Sequence, residues 1–166
     1  IRLRQAIPDI LAQTGAQRAA EVLALELRKE SRDVESEIVS AMYKMRSEKP
    51  QIHFREQMVV PQIIREIKES YMILKEIHDL KASKKKEFLA KDLENNLARS
   101  LKYIFELLSL IYPREDIIKA YQNITTGEKN AIDYSLELLD NILKKDIRDL
   151  LLPLIDDISF EDKITH

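Results

Sequence analysis

The chain has no cysteine, no tryptophan and only two glycines among its 166 residues. Without cysteine there is no disulfide, no thiolate nucleophile and no thiolate metal ligand. Gly15 and Gly127 stand far apart. A phosphate-cradling loop or a dinucleotide fingerprint needs clustered glycines, so both are excluded. Serines and threonines are scattered and form no nucleophile elbow. No apolar run reaches the roughly 18 residues of a membrane span, and no secretory signal pattern is visible. The net charge is only −2, so no global positive field points to nucleic acid. The charge is uneven: residues 1–60 carry +1, 61–112 carry +2 and 113–166 carry −5. The chain opens at Ile1 already inside a helical pattern, and the expectation is a segment of a longer protein.

What remains is rich in Leu, Ile, Ala, Glu and Lys. A hydrophobic share of 45 % is too high for a disordered chain, and few breakers interrupt it, which favours helices joined by tight turns. The first segment, Arg2 to Thr14, places Leu3, Ala6, Ile7, Ile10 and Leu11 on one expected helical face. Pro8 lies inside it and should bend the helix or delay its start, and Gly15 closes it. A second helix, Ala16 to Lys29, repeats Ala19, Ala20, Val22, Leu23 and Leu27. Asp33 is expected to cap a third helix, which buries Val34, Ile38, Ala41, Met42 and Met45 and stops before Pro50.

Two starts are open for the next helix, one near Arg55 with a bend at Pro61 and one at Pro61 itself. From there Ile63, Ile67, Tyr71, Leu74, Ile77 and Leu80 recur at helical spacing. After a break at Ser83–Lys86, Leu93, Leu97, Leu101, Ile104, Leu108 and Ile111 alternate spacings of four and three, the seam of a long packed helix. These two segments predict an αα-hairpin over about 61–112, roughly 25 residues and about 40 Å per arm. Pro113 ends it. A short helix, Glu115 to Asn123, carries Ile117, Ile118 and Tyr121. Thr125 with Glu128 reads as a capping box for a helix carrying Ala131, Ile132, Ser135, Leu136, Leu139 and Ile142. Asp146 is expected to cap a last helix, Ile147 to Ile155, with Pro153 inside. Ser159 would cap a terminal turn.

A weak internal repeat is present. Leu23, Asp33, Val34, Ile38 and Met42 match Leu136, Asp146, Ile147, Leu151 and Ile155 in spacing. Ile7-Pro8 with Ile10-Leu11 echoes Leu152-Pro153 with Leu154-Ile155. Such helix pairs cannot bury their faces alone, so neighbours must stack. The segment from Arg4 through Ala12 with Gly15, then Ala20, Leu23 and Leu27, resembles a short bacterial HEAT repeat. The order continues with a long hairpin, Leu110-Ile111-Tyr112-Pro113, then Glu137-Leu138-Leu139-Asp140-Asn141, and finally Arg148 through Pro153. Over nearly the whole chain this is similar to the HEAT-repeat region C-terminal to the membrane domain in some bacterial ATP/ADP translocase-like, major-facilitator-related nucleotide transporters. The resemblance implies a cytosolic module on the inner face of a membrane protein, with that membrane domain, a protein or an anionic membrane surface as partner. That family's transport residues lie in membrane helices absent here, so none carries over.

The expected fold is thus all-α, a HEAT/ARM-like α-solenoid of about eight helices in one domain over 1–166. The expected function is non-enzymatic, with no cofactor. The alternatives are a freestanding adaptor that binds another protein and a HEAT-like nucleic-acid-processing enzyme. The enzyme would need a basic concave face and stacking aromatics, which the composition disfavours. Lys81, Lys84, Lys85, Lys86 and Lys91 form the sharpest electrostatic feature, a basic hairpin tip. Each lysine is worth about 1 kcal/mol at an anionic membrane surface, although a solvated turn is the simpler explanation of the run. His53, His78 and His166 lack the i,i+4 partner of a metal motif and read as surface residues. Asp156-Asp157 with Glu161-Asp162 lack the alternating ligands and bend glycine of a calcium loop. Tyr71, Tyr103, Tyr112, Tyr121 and Tyr134 read as half-buried packing residues rather than a ligand cage.

Overall fold

A computed structural model describes residues 2–27, 32–82 and 87–156, with eight helices and no strand among them. They are α1 (Arg2–Thr14), α2 (Gln17–Glu26), α3 (Arg32–Glu48), α4 (Glu56–Ala82), α5 (Glu87–Ile111), α6 (Arg114–Thr126), α7 (Lys129–Ile142) and α8 (Lys145–Ile155). The all-helical expectation and the long hairpin both hold. The hairpin arms are α4 and α5, of 27 and 25 residues, roughly 40 Å long at 1.5 Å per residue. α4 starts at Glu56, so the earlier of the two expected starts is the observed one, and Pro61 lies within its second turn.

The core is organised around the second half of α5. Ile104, Phe105, Leu107, Leu108 and Leu110 are all buried. Five such positions in seven residues reach well beyond a single stripe and wrap most of the helix, which marks it as the central strut. α3 and α4 pack on this half from one side and α6 from another, while α8 closes onto α4. α1 packs mainly on α3 and less on α2, so α1, α3 and α5 form a series of next-but-one neighbours. The outer half of α5 is different. Leu93, Leu97 and Leu101 are only half-buried, because their seam faces α4 alone.

Several local expectations are corrected. α1 turns a different face inward: Pro8 and Ala12 are buried, with Leu11 half-buried beside them, whereas Ile7 and Ile10 are exposed, Ile10 by 61 %. The stripe Pro8, Leu11, Ala12 has the spacing i, i+3, i+4 and competes with the expected one, and the apolar proline ring decides it. The side chains of Leu3 and Ala6 lie outside the described residues. Val22 on α2 is likewise exposed, while Ala19, Ala20, Leu23 and Leu27 are buried as expected. Asp33 stands inside α3, which already includes Arg32, so it does not precede the helix.

The Thr125–Glu128 capping box does not form. α6 runs through Thr126 and ends at Gly127 in the left-handed region, φ +74°. Thr125 is therefore still helical, and its hydroxyl donates to the carbonyls of Tyr121 and Gln122, both at 2.9 Å. Asp146 lies inside the first turn of α8, after its N-cap Lys144. From there its Oδ1 accepts the Ile147 N–H at 3.1 Å, a first-turn donor that also reaches the Lys144 carbonyl at 3.1 Å. Gly15 takes φ +56° at the end of α1, as a closing glycine should.

Candidate interaction surfaces

Among the described residues, several interhelical clamps hold the hairpin against its neighbours. Gln17 on α2 pins the loop ahead of α4 like a strand partner: its Nε2 donates to the His53 carbonyl at 2.7 Å and its Oε1 accepts the His53 N–H at 3.0 Å. At the hairpin base, Tyr112 Oη accepts the Lys144 N–H at 3.2 Å, and Lys144 Nζ pairs with Glu56 at the start of α4. That hydrogen bond and charge raise the Lys144 pKa. Tyr71 Oη donates to the Leu150 carbonyl at 3.0 Å, tying α4 to α8, and burial pushes the Tyr71 phenol above its ordinary value.

α4 also carries buried polar groups that hydrophobic periodicity does not register. Gln62, Glu66 and Ser70, four residues apart, are almost fully enclosed, as is Glu35 on α3. Ser70 Oγ donates to the Glu66 carbonyl at 2.9 Å. Arg65 reaches from α4 to α3, where one Nη lies 2.8 Å from both Glu35 oxygens. Partial burial works against the Arg65 cation, but the Glu35 hydrogen bonds and charge, with Glu69 and Tyr103 beyond, outweigh it and raise its pKa. The carboxylate of Glu35 at an inward position of α3 was the available sequence signal, since a buried acid requires a cation partner.

The lysine tip is seen in part. Lys84, Lys85 and Lys86 lie outside the described residues. Lys81 and Lys91 are exposed, one on each arm. Lys81 Nζ makes an ion pair with Glu94 of the opposite arm at 2.6 Å, so part of its charge is already balanced. Beside them, α5 opens with an apolar pair that the sequence reading passed over: Phe88 is 84 % exposed and Leu89 is exposed too, while Ala90 turns inward. The signal for Phe88 was its place two residues after the lysine run, beyond Glu87, and ahead of the first half-buried seam position.

A second apolar surface lies at the other end of the molecule. Ile7 and Ile10 on α1, with Val22 and Leu25 on α2, are exposed. Leu25 also borders a shallow cavity of about 110 Å³ against Phe54 and Met58, rimmed by an ion pair between Arg55 and Glu21 at 3.7 Å. His53 lines this cavity, and His78 is half-buried on α4. His166 lies outside the described residues, as do Ser159 and the acidic group from Asp157 onward. Among the described residues no three His, Asp or Glu side chains converge on a metal position, and no helix is long and apolar enough to cross a membrane. The tyrosines are mostly packing residues. Tyr112 is buried, and Tyr121 packs on Phe105 with ring centroids 5.3 Å apart. Tyr134 is exposed under Lys119, whose Nζ lies 5.2 Å from the ring centroid.

No family model, curated protein or solved structure matches the chain.

Proposed function

We propose that the chain is a non-enzymatic, HEAT-like interaction module that works at the cytosolic face of a transporter-like membrane protein and touches an anionic membrane surface through its hairpin tip. The single observation that carries the membrane contact is Phe88, a solvent-facing aromatic side chain set among lysines. Lysines alone are explained by solubility, and an exposed phenylalanine is not. An aromatic ring beside a basic cluster suits the headgroup region, where the ring enters the acyl boundary and the ammonium groups meet phosphate. Burying a phenylalanine contributes about 1.5–3 kcal/mol, comparable to two or three lysines at about 1 kcal/mol each. The HEAT-like part of the reading is supported by the next-but-one packing of α1, α3 and α5 and by the repeat spacing in the sequence.

Co-sedimentation with phosphatidylserine-containing vesicles tests the contact. Wild type is expected to bind these and to leave pure phosphatidylcholine vesicles largely unbound. Phe88→Ser and the triple change Lys84→Glu, Lys85→Glu, Lys86→Glu should each weaken binding about tenfold or more. Equal binding by wild type and both variants would refute the membrane contact. A second reading, an adaptor that binds another protein, is favoured by exposed Ile7, Ile10, Val22 and Leu25. It gains ground if Phe88→Ser is silent while Ile10→Glu abolishes association with a partner.

A further inference from the structure

Tyr43 and Arg46 on α3 and Arg114 on α6 bring together two half-buried arginines that form no ion pair with a carboxylate among the described residues. Arg114 opens α6, and its guanidinium carbon sits 4.8 Å above the centroid of the Tyr43 ring on α3. Arg46 lies one turn after Tyr43 on the same helix, so positions 43 and 46 share a face and the two guanidinium groups are neighbours. Arg46 commits one nitrogen to the Ile52 carbonyl, Nη1 to oxygen 3.2 Å. The Nε of Arg114 is enclosed and meets no acceptor. Neither group takes part in an ion pair with a carboxylate of the described residues, even though Glu115 and Asp116 stand in the first turn of α6. Burial, and then the charge of Arg114, lower the Arg46 pKa.

Like charges in a partly desolvated corner repel, and folded chains rarely keep such a pair without a compensating anion. Each guanidinium is held by one stacking or backbone contact that leaves part of its donor fork unspent. Their planes serve different partners, one lying over a ring and the other turned to a carbonyl. A tetrahedral oxyanion offers acceptors in several directions, whereas one flat carboxylate does not. A dianion also neutralises both charges, which a monoanionic carboxylate cannot. The first-turn N–H groups of α6 lie beside Arg114 and have the right polarity for phosphate.

We infer that Arg46, Arg114 and the Tyr43 ring that orients Arg114 form a binding site for a phosphate group, carried either as the free ion or as a phosphomonoester. This goes beyond the membrane contact and does not depend on it, because the tip lies at the opposite end of the hairpin.

The test is a titration of the protein with inorganic phosphate and, separately, with glycerol phosphate, at constant ionic strength adjusted with chloride. The readout is the side-chain NMR signal of the Arg114 Nε–H. Saturable shifts with either titrant are expected. Arg114→Gln and Arg46→Gln should each weaken binding at least tenfold, read from backbone amide shifts in α6, with unfolding midpoints checked in parallel. Arg114→Lys keeps the charge but loses the fork, and should weaken binding by less than Arg114→Gln. Tighter binding of the ester by tenfold or more would assign the site to a phosphorylated molecule, and equal binding would assign it to the free ion. Shifts that stay linear with both titrants, or saturable shifts that persist unchanged in the Arg46→Gln, Arg114→Gln double variant, would overturn the inference.

Discussion

The Glu35–Arg65 clamp gives a prediction whose asymmetry follows from exposure. Side-chain exposure is 6 % for Glu35 and 41 % for Arg65, so the two partners lose different things when the other is removed. Taking away Arg65 strands a carboxylate in a nearly dry position, and breaking a buried pair in this way costs about 3 kcal/mol or more. Taking away Glu35 leaves a guanidinium that still reaches water and has Glu69 at 3.9 Å. Only the charge-assisted hydrogen bonds are lost, worth about 1.5 kcal/mol after discounting for solvent. Arg65→Met should therefore destabilise about twice as much as Glu35→Gln. The Glu35→Gln, Arg65→Met double variant should fall well short of the sum, with a coupling energy of about 1–2 kcal/mol. Urea unfolding followed by circular dichroism, with slopes compared to confirm the same transition, measures all three. A coupling below about 0.5 kcal/mol, or Glu35→Gln costing more than Arg65→Met, would refute the assignment of Glu35 as the desolvated partner.

The two glycines separate backbone strain from crowding. At Gly127, φ +74°, an added Cβ meets nothing within 4 Å, so Gly127→Ala should cost only the left-handed penalty of about 1 kcal/mol. At Gly15 a Cβ would collide with the Lys49 side chain, whose Nζ lies 3.4 Å from the Gly15 carbonyl. Gly15→Ala should thus have the lower thermal midpoint of the two. Tyr71→Phe removes the bond to Leu150 and should cost about 1 kcal/mol near neutral pH. Because the folded phenol titrates above its ordinary value of 10.0, wild-type stability should fall as pH rises past 10, where the unfolded chain ionises first. The Phe variant should show a shallower fall between pH 9 and 11. Glu106 has its pKa raised by burial, against the opposing pull of Lys102, so its contribution to stability decreases as pH climbs from 4.5 through the raised value. Glu106→Gln lacks that decrease, and its melting point should gain on wild type between pH 4.5 and 7.

Helix number and order were legible because Leu, Ile and Met recur once per turn and Gly15, Pro50, Pro113 and Gly127 punctuate them. Faces were harder. On α1, two apolar stripes one position apart compete, and a count of aliphatic residues favours Ile7 and Ile10 although the proline-containing stripe packs. Helix ends were misplaced where a threonine or aspartate had a choice of roles, as at Thr125 and Asp146. Those side chains satisfy a local carbonyl or amide from inside a helix as readily as from its cap. The Glu35–Arg65 clamp joins residues 30 apart on different helices, and no local pattern specifies that meeting. The Arg46–Arg114 neighbourhood was hidden for the same reason. Phe88 was not singled out, since exposure of a single aromatic depends on whether a third helix covers the hairpin there, and no local pattern shows that.

The hairpin is built in two unlike halves, and that division bears on both proposed contacts. Near the base, α5 is enclosed on most sides, and Tyr112, Lys144 and Glu56 lock its end to α8 and α4. Toward the tip each arm has little besides the other, with Lys81–Glu94 as a cross-link. A tip that buried its apolar residues internally would need a third helix there, and that helix would cover Phe88. Leaving the outer half as a bare pair keeps Phe88, Lys81 and Lys91 exposed near the end of a stiff rod, where a surface could be met without unpacking the core. The arginine pair sits at the other end, where α5 gives way to α6 through Tyr112 and Pro113. Roughly 40 Å of helix separates the two positions, and among the described residues they share no side-chain partner, so substitutions at one should leave the other's binding unchanged and their effects on stability should add. A ligand at the arginines could influence the tip only by tilting α5 as a rigid body, and the locked base opposes that tilt. If both proposed contacts exist, the hairpin would act as a fixed spacer between them rather than as a lever.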